Sequence, residues 1–136
     1  PDNDTWGVEL AQGHVLLGPL LEERGELQEA TEGYATAVAL LVSLTARSPD
    51  DAERQEALAL ARSYHGLVLE LQGRLDEARH AYSACLAATI RLEDLDPENA
   101  SWSDLGASAR IVLGRLDLRA GDLLSARAKL SRASSV

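Results

Sequence analysis

The chain repeats itself every 48 residues without a gap, which commits it to a row of similar units stacked on one another. Pro1, Pro49 and Pro97 head the three copies, and five further columns are invariant: Ala11/Ala59/Ala107, Gly18/Gly66/Gly114, Gly25/Gly73/Gly121, Leu27/Leu75/Leu123 and Ala30/Ala78/Ala126. Tyr34/Tyr82/Leu130 and Ala37/Cys85/Ala133 fall in the same frame, and Trp6 and Trp102 stand two periods apart. Units of this length cannot bury an apolar face alone and do so by stacking, so the expected product is a solenoid, whose usual work is to hold a partner.

Each copy divides at its second invariant glycine into two stretches with helical spacing. In the second copy Leu58, Ala61, His65, Val68 and Leu69 recur at i, i+3, i+4 and i+7, and Leu75, Ala78, Tyr82, Cys85, Leu86 and Ile90 do so after Gly73. No alternating strand pattern competes. Pro-Asp-Asn, Pro-Asp-Asp and Pro-Glu-Asn open the copies with side chains suited to orphan backbone N–H groups. Gly25, Gly73 and Gly121 sit where the first helix of each pair must stop and reverse. The spacing predicts an all-α, right-handed solenoid of three helical hairpins, with helices near 4–24, 27–47, 51–72, 75–95, 99–120 and 123–134. One domain spans 1–136, with repeats 1–48, 49–96 and 97–136.

The charge argues against some partners. Net charge is −9, and a phosphate backbone needs a basic face, so nucleic acid is not expected. The acidity is uneven: residues 1–48 carry −6, 49–96 carry −5 and 97–136 carry +2. Apolar runs such as 35–44 are too short for a membrane span, and no signal peptide is visible. Absence of Met and an opening already in repeat register read as a piece of a longer protein. Cys85 is the single cysteine, which excludes an internal disulfide and favours a cytoplasmic setting.

The second helices carry "GELQEATEGYATA", "GRLDEARHAYSAC" and "GDLLSARAKLSRA", and the first helices carry Leu17-Gly18, His65-Gly66 and Leu113-Gly114. This resembles the tetratricopeptide repeat, over essentially the whole chain, with 14 more residues than the family's usual 34 per unit. About two added turns on each helix account for the difference. "LDPENASW" at Leu95 to Trp102 and "PDNDTW" at Pro1 to Trp6 are similar to the unit openings of elongated bacterial arrays; the middle copy departs, with Arg54 in the Trp column. Such arrays often accompany signalling domains. The resemblance implies a concave face built from one stripe of each first helix: Gln12, Val15, Leu16, Pro19, Glu22 and Glu23; then Leu60, Ser63, Tyr64, Leu67, Glu70 and Leu71; then Ser108, Ile111, Val112, Arg115, Leu118 and Arg119. A peptide or helix of a partner protein would lay apolar side chains on Tyr64, Leu67, Leu71 and Ile111, with an acidic group near Arg115 and Arg119. The alternative is that some of these residues pack between helices. The family's Lys/Asn clamp for a C-terminal carboxylate is absent, with Val15/Pro19, Ser63/Leu67 and Ile111/Arg115 in its columns.

Chemistry elsewhere is sparse. His14, Arg62 and Arg110 share a column and would form either a basic ladder or solvated heads on long stems. His65 replaces a Leu beside a packing glycine and reads as a core histidine, while His80 reads as solvated. No carboxylate or cysteine recurs at ligand spacing, so neither a metal nor a cofactor is expected. Cys85 shares a small-residue column and reads as buried. Adjacent carboxylates such as Glu22/Glu23 diverge around a helix, and no nucleophile or phosphate-loop motif occurs, so the chain is not expected to be an enzyme. Pro19 should kink or break the first helix after Gly18. Asp117 replaces the Leu21/Leu69 column and must reach water or a partner such as Arg110 or Arg127, a capping adaptation of a terminal repeat. The main expectation is a protein-interaction scaffold. The rivals are self-association, acidic first copy against basic third copy and homo-oligomers through the solenoid ends, or a sensory segment of a larger signalling protein. Small-ligand binding would need an enclosed pocket.

Overall fold

A computed structural model describes the backbone of residues 3–134, and the side chains of these except Ser125, Ala126, Lys129 and 132–134. It contains five helices and no strand among the described residues: α1 (Asn3–Glu23), α2 (Leu27–Arg47), α3 (Ala52–Leu71), α4 (Leu75–Leu95) and α5 (Ala100–Ser134). Each helix packs on the next in sequence; α1 also touches α3, and α3 touches α5. No Cα of α2 comes within 8 Å of one of α4 among the described residues.

The first two pairs close as their glycines require. Gly25 and Gly73 take φ of 78° and 76°, a region open to glycine at little cost. Around them the N–H of Glu26 donates to the Leu21 carbonyl at 2.8 Å and that of Arg74 to the Leu69 carbonyl at 2.9 Å, the six-to-one bond of a Schellman ending. Leu21 and Leu69 are buried and share clusters with Leu27 and Leu75 just past the turn, which completes the apolar clasp of that motif. Asp51 caps α3 through the Arg54 N–H, and Asn99 accepts from the Trp102 N–H at 3.1 Å.

The third pair does not close, so the expected sixth helix is absent and α5 runs 35 residues straight through Gly121. Asp117 explains much of this. It stands where Leu21 and Leu69 make the clasp, but its carboxylate pairs with Arg79 of α4 instead of Arg110 or Arg127. Continuing a helix through Gly121 costs only about 1 kcal/mol, and without the clasp nothing comparable favours the reversal. The expected columns respond accordingly. Ala11 and Ala59 are fully buried and Gly18 and Gly66 are covered, whereas Ala107 and Gly114 are exposed. Ala126 and Ala133 lie outside the described side chains, and Pro1 outside the described residues.

Pro19 lies within α1 without ending it. It lacks the N–H that would bond the Val15 carbonyl, but the turns on either side hold the helix together. Ala30, Tyr34, Ala37 and Leu41 bury α2, and Ala78, Tyr82, Cys85, Ala88 and Leu92 bury α4. The faces of α3 and α5 that meet the preceding helix are Ala61 and Val68, and Ala109 and Leu116, while the buried Trp102 donates from Nε1 to Glu56 of α3 at 3.0 Å.

Candidate functional site

The stripe formed by α1, α3 and α5 is lined by residues that helical phase leaves out of the core. Tyr64 is supported from below. Its ring stacks on Tyr34 with centroids 5.8 Å apart and planes at 22°. Tyr34 is fully buried over Gly18, and its hydroxyl donates to Glu22 Oε2 at 2.9 Å. Burial first, then the hydrogen bond to Glu22, raises the Tyr34 pKa well above the ordinary tyrosine value, so it stays a neutral donor. Burial likewise pushes Tyr82 up to about 12.

Two shallow wells flank α3. One, about 230 Å³, lies between α3 and α5 and is lined by Ser63, Tyr64, Leu67, Tyr82, Leu105, Ser108, Ala109 and Val112. The other, about 210 Å³, lies between α1 and α3 and is lined by Gln12, Val15, Leu16, Leu41, Ala57 and Leu60. Both fall below the roughly 300–1,000 Å³ of sites that enclose a small ligand. They suit single apolar side chains entering from a longer segment.

Of the six residues expected to carry the site, Tyr64 and Leu67 line the α3–α5 well, and Leu71 lies one helical turn beyond Leu67, 57% exposed. Ile111 is 67% exposed and stands outside the lining, where Val112 and Ser108 take part instead. Arg115 and Arg119 are engaged within the chain. Arg115 grips Glu70 in a fork, Nε to Oε2 at 3.2 Å and the terminal nitrogen to Oε1 at 2.6 Å, and Arg119 stands 3.9 Å from the same carboxylate. That hydrogen bond raises the Arg115 pKa further. Two guanidiniums on one carboxylate leave a net single positive charge, so the basic end is weaker than the sequence suggests. Tyr34, Tyr82 and Leu105 join the site without having been singled out for it; the Tyr34/Tyr82 column is expected to fill the space toward the next repeat, and Tyr34 does so under Tyr64, thirty residues away.

A second groove, about 480 Å³, runs between α2, α3 and α4 and is lined by Val38, Arg62, His65, Leu69, Asp76, Glu77, His80 and Ala81. His65 is half-buried, and desolvation, with Arg74 adding to it, lowers its pKa below the usual histidine value. His80 is exposed, as expected. His14 lines a different groove with Leu17, Leu21, Glu29 and Glu32. Among the described residues no three His, Cys, Asp or Glu side chains come together in a way that could hold a metal ion. No helix among them is long and apolar enough to cross a membrane.

Comparison with known proteins finds no matching family model, no matching curated protein and no matching solved structure. The functional reading therefore rests on the residues themselves.

Proposed function

We propose that the chain is a non-catalytic interaction module, a right-handed solenoid of tetratricopeptide-like hairpins that binds an apolar peptide or helix of a partner protein along α1, α3 and α5. Support for the solenoid comes from the order of packing: neighbours in sequence are neighbours in space, and beyond them only α1 with α3 and α3 with α5 come together among the described residues. A row of pairs in that arrangement curves with its odd helices on the inside. The binding reading is carried by one observation, the two side-chain-sized wells on either side of α3, separated by the exposed Leu60, Tyr64, Leu67 and Leu71. Anchors from an i, i+3/i+4, i+7 helix or an extended strand can enter both wells at once. The preference for an acidic group beside Arg115 and Arg119 rests on the one charge left over from Glu70.

The test is selection of a displayed random-peptide library on the wild-type chain, followed by titration of the recovered peptides against a Tyr64→Ala/Leu67→Asp variant. Loss of these anchors should weaken binding at least tenfold, about 1.4 kcal/mol. Peptides that bind the variant as tightly as the wild type would overturn the proposal.

A further inference from the structure

One face of α1 remains apolar and uncovered although its counterparts in α3 and α5 are buried or half-buried. Along that face run Trp6, Leu10, Gly13, Leu17 and Leu20, spaced at three or four residues, with the four large side chains 49–72% exposed. The side of α1 that packs on α2 is a neighbouring one, carrying Ala11, Gly18 and Leu21. One repeat later the columns of Gly13 and Leu20 hold Ala61 and Val68, and two repeats later Ala109 and Leu116, all buried; Trp102, in the Trp6 column, is buried too. For Val68 and Leu116 the covering element is the second helix of the preceding pair, while Trp102 donates from Nε1 to Glu56 of α3. Val68 shares a cluster with Ala30 and Tyr34, and Leu116 with Ala78 and Tyr82.

The chain itself holds a segment of that type beyond its two closed helix pairs. Past Gly121, α5 projects with Leu123, Leu124 and Leu130 64–70% exposed, and it repeats the columns of α2 and α4: Leu27/Leu75/Leu123 and Tyr34/Tyr82/Leu130. Translated by one repeat, the partner column of Leu20 falls at position 130. Charge agrees with shape. Residues 123–136 contain Arg127, Lys129 and Arg132 and no acid, whereas residues 1–26 contain Asp2, Glu9, Glu22, Glu23 and Glu26 against Arg24, with Asp4 already paired with Arg47 and Arg54.

We infer that the outer face of α1 docks the basic, leucine-bearing end of α5 from a second copy, so that chains associate head to tail. Such a contact is heterologous and leaves one free head and one free tail on every assembly, which grows unless it closes into a ring. It uses a surface distinct from the wells around α3.

Light scattering coupled to size exclusion tests this on the full chain, from about 10 µM to about 1 mM, a span that detects association down to roughly −4 kcal/mol. The mass of the wild type should rise with concentration above the 14.6 kDa protomer and fall back when salt screens the charges. A head-blocked Leu17→Arg/Leu20→Arg variant and a tail-blocked Leu123→Glu/Arg127→Glu variant should each stay monomeric with unchanged helical ellipticity. Mixed together they should give a species of twice the protomer mass and nothing larger, because only one productive contact remains. A wild type monomeric throughout overturns the inference and leaves the α1 face to a different helix. A dimer that survives the head-blocking substitutions also overturns it, as would failure of the two variants to pair.

Discussion

The same substitution in one repeat column should change stability in opposite directions. An alanine Cβ at Gly18 would overlap the Tyr34 ring at Cε1, Cζ and Oη, and the ring cannot retreat because it is fully buried under Tyr64. Overpacking of this kind costs typically about 1–3 kcal/mol, and displacing the Tyr34 hydroxyl from Glu22 adds about 1.5–3 kcal/mol for a bond to a charged acceptor. Alanine returns about 1 kcal/mol of helix propensity. Net destabilisation of Gly18→Ala is therefore roughly 3 kcal/mol, with Gly66→Ala milder because the Tyr82 ring is met at 2.8 Å by its edge carbons. At Gly114 a Cβ meets nothing within 4 Å, so Gly114→Ala keeps the propensity gain of about 1 kcal/mol. Urea unfolding followed by ellipticity reads both. With a slope of about 2 kcal/mol/M, Gly18→Ala should move the midpoint down by roughly 1.5 M and Gly114→Ala up by roughly 0.5 M. Combining Gly18→Ala with Tyr34→Leu, the residue type of the third copy, should cost less than the two separate losses added together. Equal midpoints for Gly18→Ala and Gly114→Ala would refute the reasoning, since they would mean that the Tyr column does not close the first pair against its glycine.

The turn glycines should separate in the same way: Gly73→Ala, forced to φ near 76°, loses about 1–2 kcal/mol, while Gly121→Ala inside α5 gains about 1 kcal/mol, both measured by urea midpoint. Because the unfolded chain protonates His65 near pH 6.5 and the folded chain only at lower pH, stability contributed by its neutral form is complete above about 6.5 and is lost as pH falls toward the folded pKa. His65→Gln should flatten that part of a stability-versus-pH series, with Arg62, Arg74 and Glu77 left in place; an unchanged slope would show that other groups carry it. Cys85 is fully buried and its pKa is pushed up to about 11 by burial, so a disulfide reagent at pH 8 should label it only as fast as the protein opens. Labelling at the rate of a free thiol would contradict that burial.

Most of the fold was legible because repetition multiplies weak signals. One glycine inside an apolar pattern says little, but three at one offset marked the reversals, and four helices begin and end within a residue or so of the expected bounds. The sixth helix was misjudged because the column was read as a property of glycine alone. Reversal also needs the leucine four residues earlier, and Asp117 removes it. The site was legible to a smaller extent. The family resemblance put Tyr64, Leu67 and Leu71 on a common face, but not the stacking of Tyr64 on Tyr34 or the capture of Arg115 by Glu70, which depend on how helices far apart in sequence are offset along their axes.

Contacts confined to helices one or two places apart have a kinetic consequence. Touching helices are joined by a short turn or by one intervening helix, so little loop-closure entropy stands in the way of contact formation, and folding should be fast for a protein of this length. The middle of the row, with helices on both sides, gives the best nucleus, and structure would spread outward from α3 and α4. The last stretch of α5, which runs past the turn between them, would order last and open first, and its amide protons would exchange long before those of α3.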